Sequence, residues 1–160
     1  MGMAHARYVT VSRPVSATIP IPSRRGRVLV VDDEPFVANA IAIFISDEHE
    51  VTVETSAATA LERLRTGESF DVIVCDMMMP GVSGMDFHDE LVSRGDPHHE
   101  RIVFITGGAY TSRARSFLDA VSNECIDKPP DPLALRALIA RRVHEAHVSR
   151  EAADEVGVFK

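Results

Sequence analysis

A repeated unit governs the chain. From Arg27 onward, short unbroken apolar runs alternate with segments of helical periodicity. Val28-Leu29-Val30-Val31 is apolar at every position, as a strand covered on both faces must be. Asp32-Asp33-Glu34-Pro35 ends it, with proline suited to a first helical turn. Phe36, Val37, Ala40, Ile41, Phe44 and Ile45 then recur at helical spacing. Val51-Thr52-Val53 predicts a second strand. Ala57, Ala60, Leu61 and Leu64 predict a second helix, stopped at Gly67.

The unit returns three more times. Val72-Ile73-Val74-Cys75 precedes a Met-Pro-Gly loop and a helix carrying Phe87, Leu91 and Val92. Ile102-Val103-Phe104-Ile105 precedes a helix carrying Ala114, Phe117, Leu118 and Val121. Cys125-Ile126 is a weak fifth strand, and Leu135, Leu138, Ile139, Val143 and Ala146 mark the last helix. Strand–helix repeats of this kind predict an α/β fold: a doubly wound parallel sheet with helices on both faces. The flavodoxin-like (βα)5 order 2-1-3-4-5 fits. It sets the carboxyl ends of strands 1 and 3 side by side at the switch point, where ligands bind. The expected organisation is a basic flexible leader over 1–26, one domain over 27–147, and a frayed tail over 148–160.

Charge and cysteine content narrow the function. The net charge is −7, yet residues 1–27 hold five arginines and no acid, leaving about −12 elsewhere. An acidic domain repels nucleic acid backbones and suits a cation or a basic partner. No recognition-helix pattern follows residue 148, so no DNA contact is expected from this chain. Cys75 and Cys125 sit in strand-like runs without metal-ligand or redox spacing, which suits a reducing cytosol. With no membrane-length apolar run and no signal-peptide core, a cytoplasmic location without membrane contact is expected.

The predicted strand ends carry the chemistry. Strand 1 ends in Asp32 and Asp33, strand 3 in Asp76, strand 4 in Thr106, and strand 5 near Lys128. Three converging carboxylates repel one another unless a cation compensates. Mg²⁺ suits such oxygen donors. Lys128 offers a point charge and Thr106 a hydroxyl donor to an oxyanion bound beside Asp76. That set fits phosphoryl transfer, with Asp76 as nucleophile forming an acyl phosphate. Taken singly, Asp32-Asp33 reads as a helix cap, Met77, Met78 and Met79 as packing, and His98-His99 as a solvated turn. His144 and His147 lie on the last helix without an evident carboxylate or Cys partner.

Val28 to Pro35, Asp76-Met77-Met78-Met79-Pro80-Gly81-Val82-Ser83-Gly84, Ile105-Thr106-Gly107 and Lys128-Pro129 together resemble the response-regulator receiver family of two-component systems. The resemblance covers about residues 27–147. It implies Asp76 as phosphoacceptor, with Asp33, Asp76 and the Met78 backbone carbonyl as direct Mg²⁺ ligands and Asp32 acting through water. It implies Thr106 and Lys128 as phosphate contacts, a cis bond before Pro129, and a histidine kinase or phosphotransfer protein as partner. Such a domain stands alone or forms part of a hybrid histidine kinase; the basic, proline-containing leader favours the second. The chain is then a phosphoacceptor switch and not an enzyme with a separate substrate. An Asp-nucleophile phosphatase commonly carries a second aspartate two residues on, where this chain has Met78. A phosphorylation-independent interaction module is the other alternative. One position departs from the family: Cys125 stands three residues before the lysine, where Tyr or Phe is usual. Tyr110, in the loop after Thr106, is a candidate replacement.

Overall fold

The computed structural model describes residues 24–108 and 111–157. Five strands alternate with five helices: β1 (Arg27–Val31), α1 (Pro35–Ile45), β2 (Glu50–Glu54), α2 (Ala57–Arg65), β3 (Val72–Asp76), α3 (Gly84–Ser93), β4 (Ile102–Thr106), α4 (Ser112–Ala120), β5 (Cys125–Asp127) and α5 (Pro132–Gly157). A 3₁₀ turn, Pro97–Arg101, leads into β4. All strand pairs are parallel, in the order β2-β1-β3-β4-β5. This is the expected doubly wound flavodoxin-like architecture.

The unbroken apolar runs are explained by two cores. Leu29, Val31, Ile73, Cys75 and Phe104 face α2, α3 and α4. Val28, Val30, Val72, Val74, Val103 and Ile105 face α1 and α5. Alternate residues of one strand therefore enter opposite cores, so neither face carries polar side chains. β3 and β4 are buried at every position. Polar residues consequently appear only where these strands end.

Local signals set the helix starts. Pro35 occupies the first turn of α1. Ser56 caps α2, and Thr111 caps α4 by accepting from Ala114 N. α3 opens on a capping box: Ser83 Oγ accepts from Asp86 N, and Asp86 Oδ2 accepts from Ser83 N.

Four expectations need correction. The last helix does not end at 147 with a frayed tail; α5 continues to Gly157 and spans about 39 Å. Beyond 147 its anchors are ionic: Arg150 pairs with buried Asp71, and Glu151 with Arg24 at 2.6 Å. Arg24–Gly26 are not leader. Gly26 is buried and donates its N–H to His49 Nδ1 at 3.1 Å, and Arg25 donates to the carbonyls of Ser46 and His49. His98 is not solvated: it is buried, its Nε2 accepting from Phe70 N at 3.1 Å while Nδ1 meets Asp96 Oδ1 at 2.6 Å. His147 does have a carboxylate beside it, with Nε2 3.5 Å from Asp71 Oδ2. Residues 1–23 of the expected leader, and Tyr110, lie outside the described residues.

Candidate functional site

The strand register brings the expected side chains together. β1 pairs with β3 in step, Val31 opposite Cys75, so the residues that follow, Asp32 and Asp76, emerge side by side. β4 pairs with both β3 and β5, placing Asp76 opposite Ile105 and Thr106 opposite Asp127. Lys128 is fixed at its main chain, its N–H donating to Thr106 O at 2.7 Å. The Lys128–Pro129 bond is cis, as expected.

Asp32, Asp33 and Asp76 form one acidic cluster, each offering an oxygen within 4.8 Å of the others. Asp32 and Asp76 are buried, and Asp33 is half-buried. Asp32 Oδ1 accepts from Glu34 N at 3.0 Å, and Asp76 Oδ1 from Met78 N at 3.3 Å. The remaining oxygens turn to Lys128, whose Nζ lies 2.9 Å from Asp32 Oδ2 and 3.1 Å from Asp76 Oδ2. The approach to Asp32 Oδ2 is an ion pair without good hydrogen-bond alignment, and that oxygen has no better donor among the described residues.

One ammonium therefore serves two carboxylates directly, with a third close by. Burial, then the charge of Asp32, pushes the Asp76 carboxyl up to about 6; Lys128 offsets part of that rise. Lys128 is held above the usual lysine range: burial opposes the shift, but the ion pair with Asp32 and the charge of Asp76 outweigh it. A buried acidic cluster with incomplete compensation suits a hard divalent cation. Asp33, Asp32 and Asp76 could supply its oxygen donors, so the residues present fit Mg²⁺.

The cap reading of Asp32-Asp33 is only partly correct. Asp32 does accept a local backbone N–H, but the residue at the N-cap of α1 is Glu34, whose side chain makes no capping bond. Met77 and Met79 are buried in the α2–α4 core, as expected for packing, whereas Met78 is exposed.

Two contributors escaped the sequence reading. Gly84 opens α3 directly behind Asp76, donating its N–H to Met77 O at 3.0 Å. Asp86 both closes the capping box and accepts from Arg113 of α4 at 2.6 Å, tying the first turns of α3 and α4 together. Arg113, then Ser83, holds the Asp86 carboxyl below the usual range. The signal for the box, Ser83 followed three residues later by an acid, was present in the sequence. Cys125, the position that departs from the family, is buried in the α2–α4 core.

The chain is similar to known proteins. Residues 28–140 match the response regulator receiver domain family. The transcriptional regulatory protein BtsR of Shigella flexneri is 30% identical over 118 residues, covering 72% of this chain and 47% of that protein. The transcriptional regulatory protein CutR of Streptomyces coelicolor is 34% identical over 116 residues, covering 72% and 51%. The chain thus spans about half the length of these relatives. Among solved structures, NtrX from Brucella abortus in complex with ADP superposes with a TM-score of 0.67 at 26% identity, over 82% of this chain and 29% of that one. With the family match extending over most of its length, the chain belongs to the response regulator receiver domain family of two-component systems.

Proposed function

We propose that Asp76 accepts a phosphoryl group from a phosphohistidine of a histidine kinase or phosphotransfer protein. The observation that carries this reading is the pocket itself: a buried carboxylate flanked by two further acids and one lysine. An Asp76 oxygen attacks phosphorus, the phosphorus–nitrogen bond breaks, and the electron pair returns to the imidazole, which regains a proton. Mg²⁺, held by Asp33 and Asp76 with the Met78 carbonyl and with Asp32 through water, would neutralise charge on the transferred group. Lys128 is placed to leave its carboxylate partners for a phosphoryl oxygen as charge builds. Thr106, at the end of β4, offers its hydroxyl to another.

A protein donor fits the surroundings better than a free small substrate. Phe36, Met78 and Leu133 are 86%, 47% and 60% exposed. All three follow strand ends on the pocket side of the sheet, supporting an apolar protein contact there. The phosphatase alternative lacks a carboxylic acid two residues beyond Asp76, where Met78 stands. No helix among the described residues is long and apolar enough to cross a membrane.

The test is incubation with Mg²⁺ and acetyl phosphate. A base-labile mass gain of one phosphoryl group, absent in Asp76→Asn and abolished by chelation, is the expected result. A gain that persists in Asp76→Asn rejects the assignment.

A further inference from the structure

Asp86 divides its carboxylate between two helices. Oδ2 accepts from the N–H and the hydroxyl of Ser83, at 3.1 and 2.9 Å, closing the cap of α3. Oδ1 accepts from Arg113 Nη2, in the first turn of α4, at 2.6 Å. The next residue after Ser83 is Gly84, which leaves no room for a side chain between α3 and the Asp76 carbonyl. Its N–H donates to Met77 O at 3.0 Å. A continuous series of contacts therefore runs from the main chain of Asp76, through the cap of α3, to Arg113. The helices meet again further along, where the His88 ring stands edge-on to Phe117 with centroids 5.2 Å apart. The start of α4 has its own cap, Thr111 Oγ1 accepting from Ala114 N at 3.1 Å. Neither the ring contact nor that cap uses the Asp86 carboxylate. Loss of the ion pair should thus leave α4 folded against α3 and disconnect only its first turn from the α3 cap.

We propose that Asp86 and Arg113 are positioning residues that carry occupancy of Asp76 to the first turn of α4. A group bound on Asp76 restrains the main chain on which α3 rests. The capped turn of α3 follows, and the ion pair passes the restraint across to α4. Both partners are partly exposed, at 40% and 61% of their side-chain surface, so the pair contributes little to global stability. Its place between the two helix starts is what gives it a role. The inference rests on Asp76 being the phosphoacceptor.

The experiment is amide exchange in the full chain with Mg²⁺, with and without beryllofluoride as a phosphoryl mimic. In the parent, beryllofluoride should slow exchange at residues 86–88 and 114–117 by about threefold or more. Asp86→Asn keeps an amide oxygen for the Ser83 N–H but loses the charge that holds Arg113. Arg113→Gln removes the guanidinium and leaves the capping box intact. Each variant should keep the slowing over 86–88 and lose about half or more of it over 114–117, and the double variant should match the single ones. Urea midpoints should stay near that of the parent, which separates coupling from a merely structural role. Slowing over 114–117 as large in both variants as in the parent overturns the inference. So does loss of the slowing over 86–88, since the cap itself would then have failed. A parent that binds beryllofluoride without a response in both helices also overturns it, while leaving phosphorylation of Asp76 intact. If the parent takes up neither acetyl phosphate label nor beryllofluoride, the proposed function falls and this inference with it.

Discussion

A Cβ on Gly84 would lie 2.5 Å from the carbonyl oxygen of Asp76 and 2.9 Å from the Cα of Met77. The first turn of α3 therefore rests on the main chain that carries the candidate phosphoacceptor. The contact is backbone against backbone, so no rotamer change can relieve a clash there. Gly84 is needed for closeness and not for an unusual backbone angle.

Gly84→Ala should therefore cost about 1–3 kcal/mol through overpacking. The Met77 and Gly84 peptides must separate, which displaces Asp76 as well. Urea midpoints would report the stability loss, and acetyl phosphate labelling of the still-folded fraction should also fall. A variant of unchanged stability and labelling would contradict the close approach.

Asp76 gives a pH signature in metal-free protein. Its folded-state pKa, about 6, lies above the unfolded aspartate value. The folded state therefore binds the extra proton between those values. The associated stabilisation is complete below about pH 4 and disappears as pH rises through about 6. Relative to Asp76→Asn, the parent should lose about 2–3 kcal/mol between pH 4 and pH 7. Mg²⁺ should restore the parent at pH 7 and do less for the variant. A parent that gains stability over the variant as pH rises would refute this charge balance.

Much of this site was legible because β1, β3 and β4 are covered on both faces. Their apolar runs stop where the sheet stops, so Asp32, Asp76 and Thr106 mark strand ends directly. Lys128 follows from the same logic, although β5 is only three residues long. The pairing of Asp86 with Arg113 depends on how α3 and α4 pack, which composition does not encode. The helical course of 148–157 was missed because those residues carry no apolar face toward a core; all of them are exposed. His98 was misread because its partner, the Phe70 N–H, lies 28 residues away in sequence.

Two buried histidines should oppose the Asp76 signature at acid pH. His98 accepts the Phe70 N–H on Nε2, so its proton sits on Nδ1, toward Asp96. His49 accepts the Gly26 N–H on Nδ1. Burial lowers both pKa values, against the raising influence of Asp96 and Glu48 respectively. Their contribution is therefore present above the unfolded histidine pKa, about 6.5, and lost as pH falls through the lower folded values. His98→Gln and His49→Asn retain an acceptor near the same place and do not titrate. Together they should cost about 1–2 kcal/mol at pH 7.5 and flatten the decline in urea midpoint between pH 7 and pH 5. An equally steep decline in the double variant would assign it elsewhere.

The far end of β3 makes a separate prediction about α5. Asp71 is 4% exposed, accepts the Arg27 N–H at 2.8 Å, and pairs with Arg150. Arg150→Ala removes a half-exposed partner and leaves the Arg27 N–H satisfied, so global stability should fall by about 1 kcal/mol or less. Asp71→Ala also strips the acceptor from a backbone N–H at the start of β1 and should cost about 2–3 kcal/mol. Amide exchange separates local from global effects. In Arg150→Ala, exchange should accelerate over 148–157 while β1 and β3 keep their protection. In Asp71→Ala it should accelerate in both regions. Unchanged protection over 148–157 in Arg150→Ala would mean that the end of α5 does not depend on its tie to Asp71.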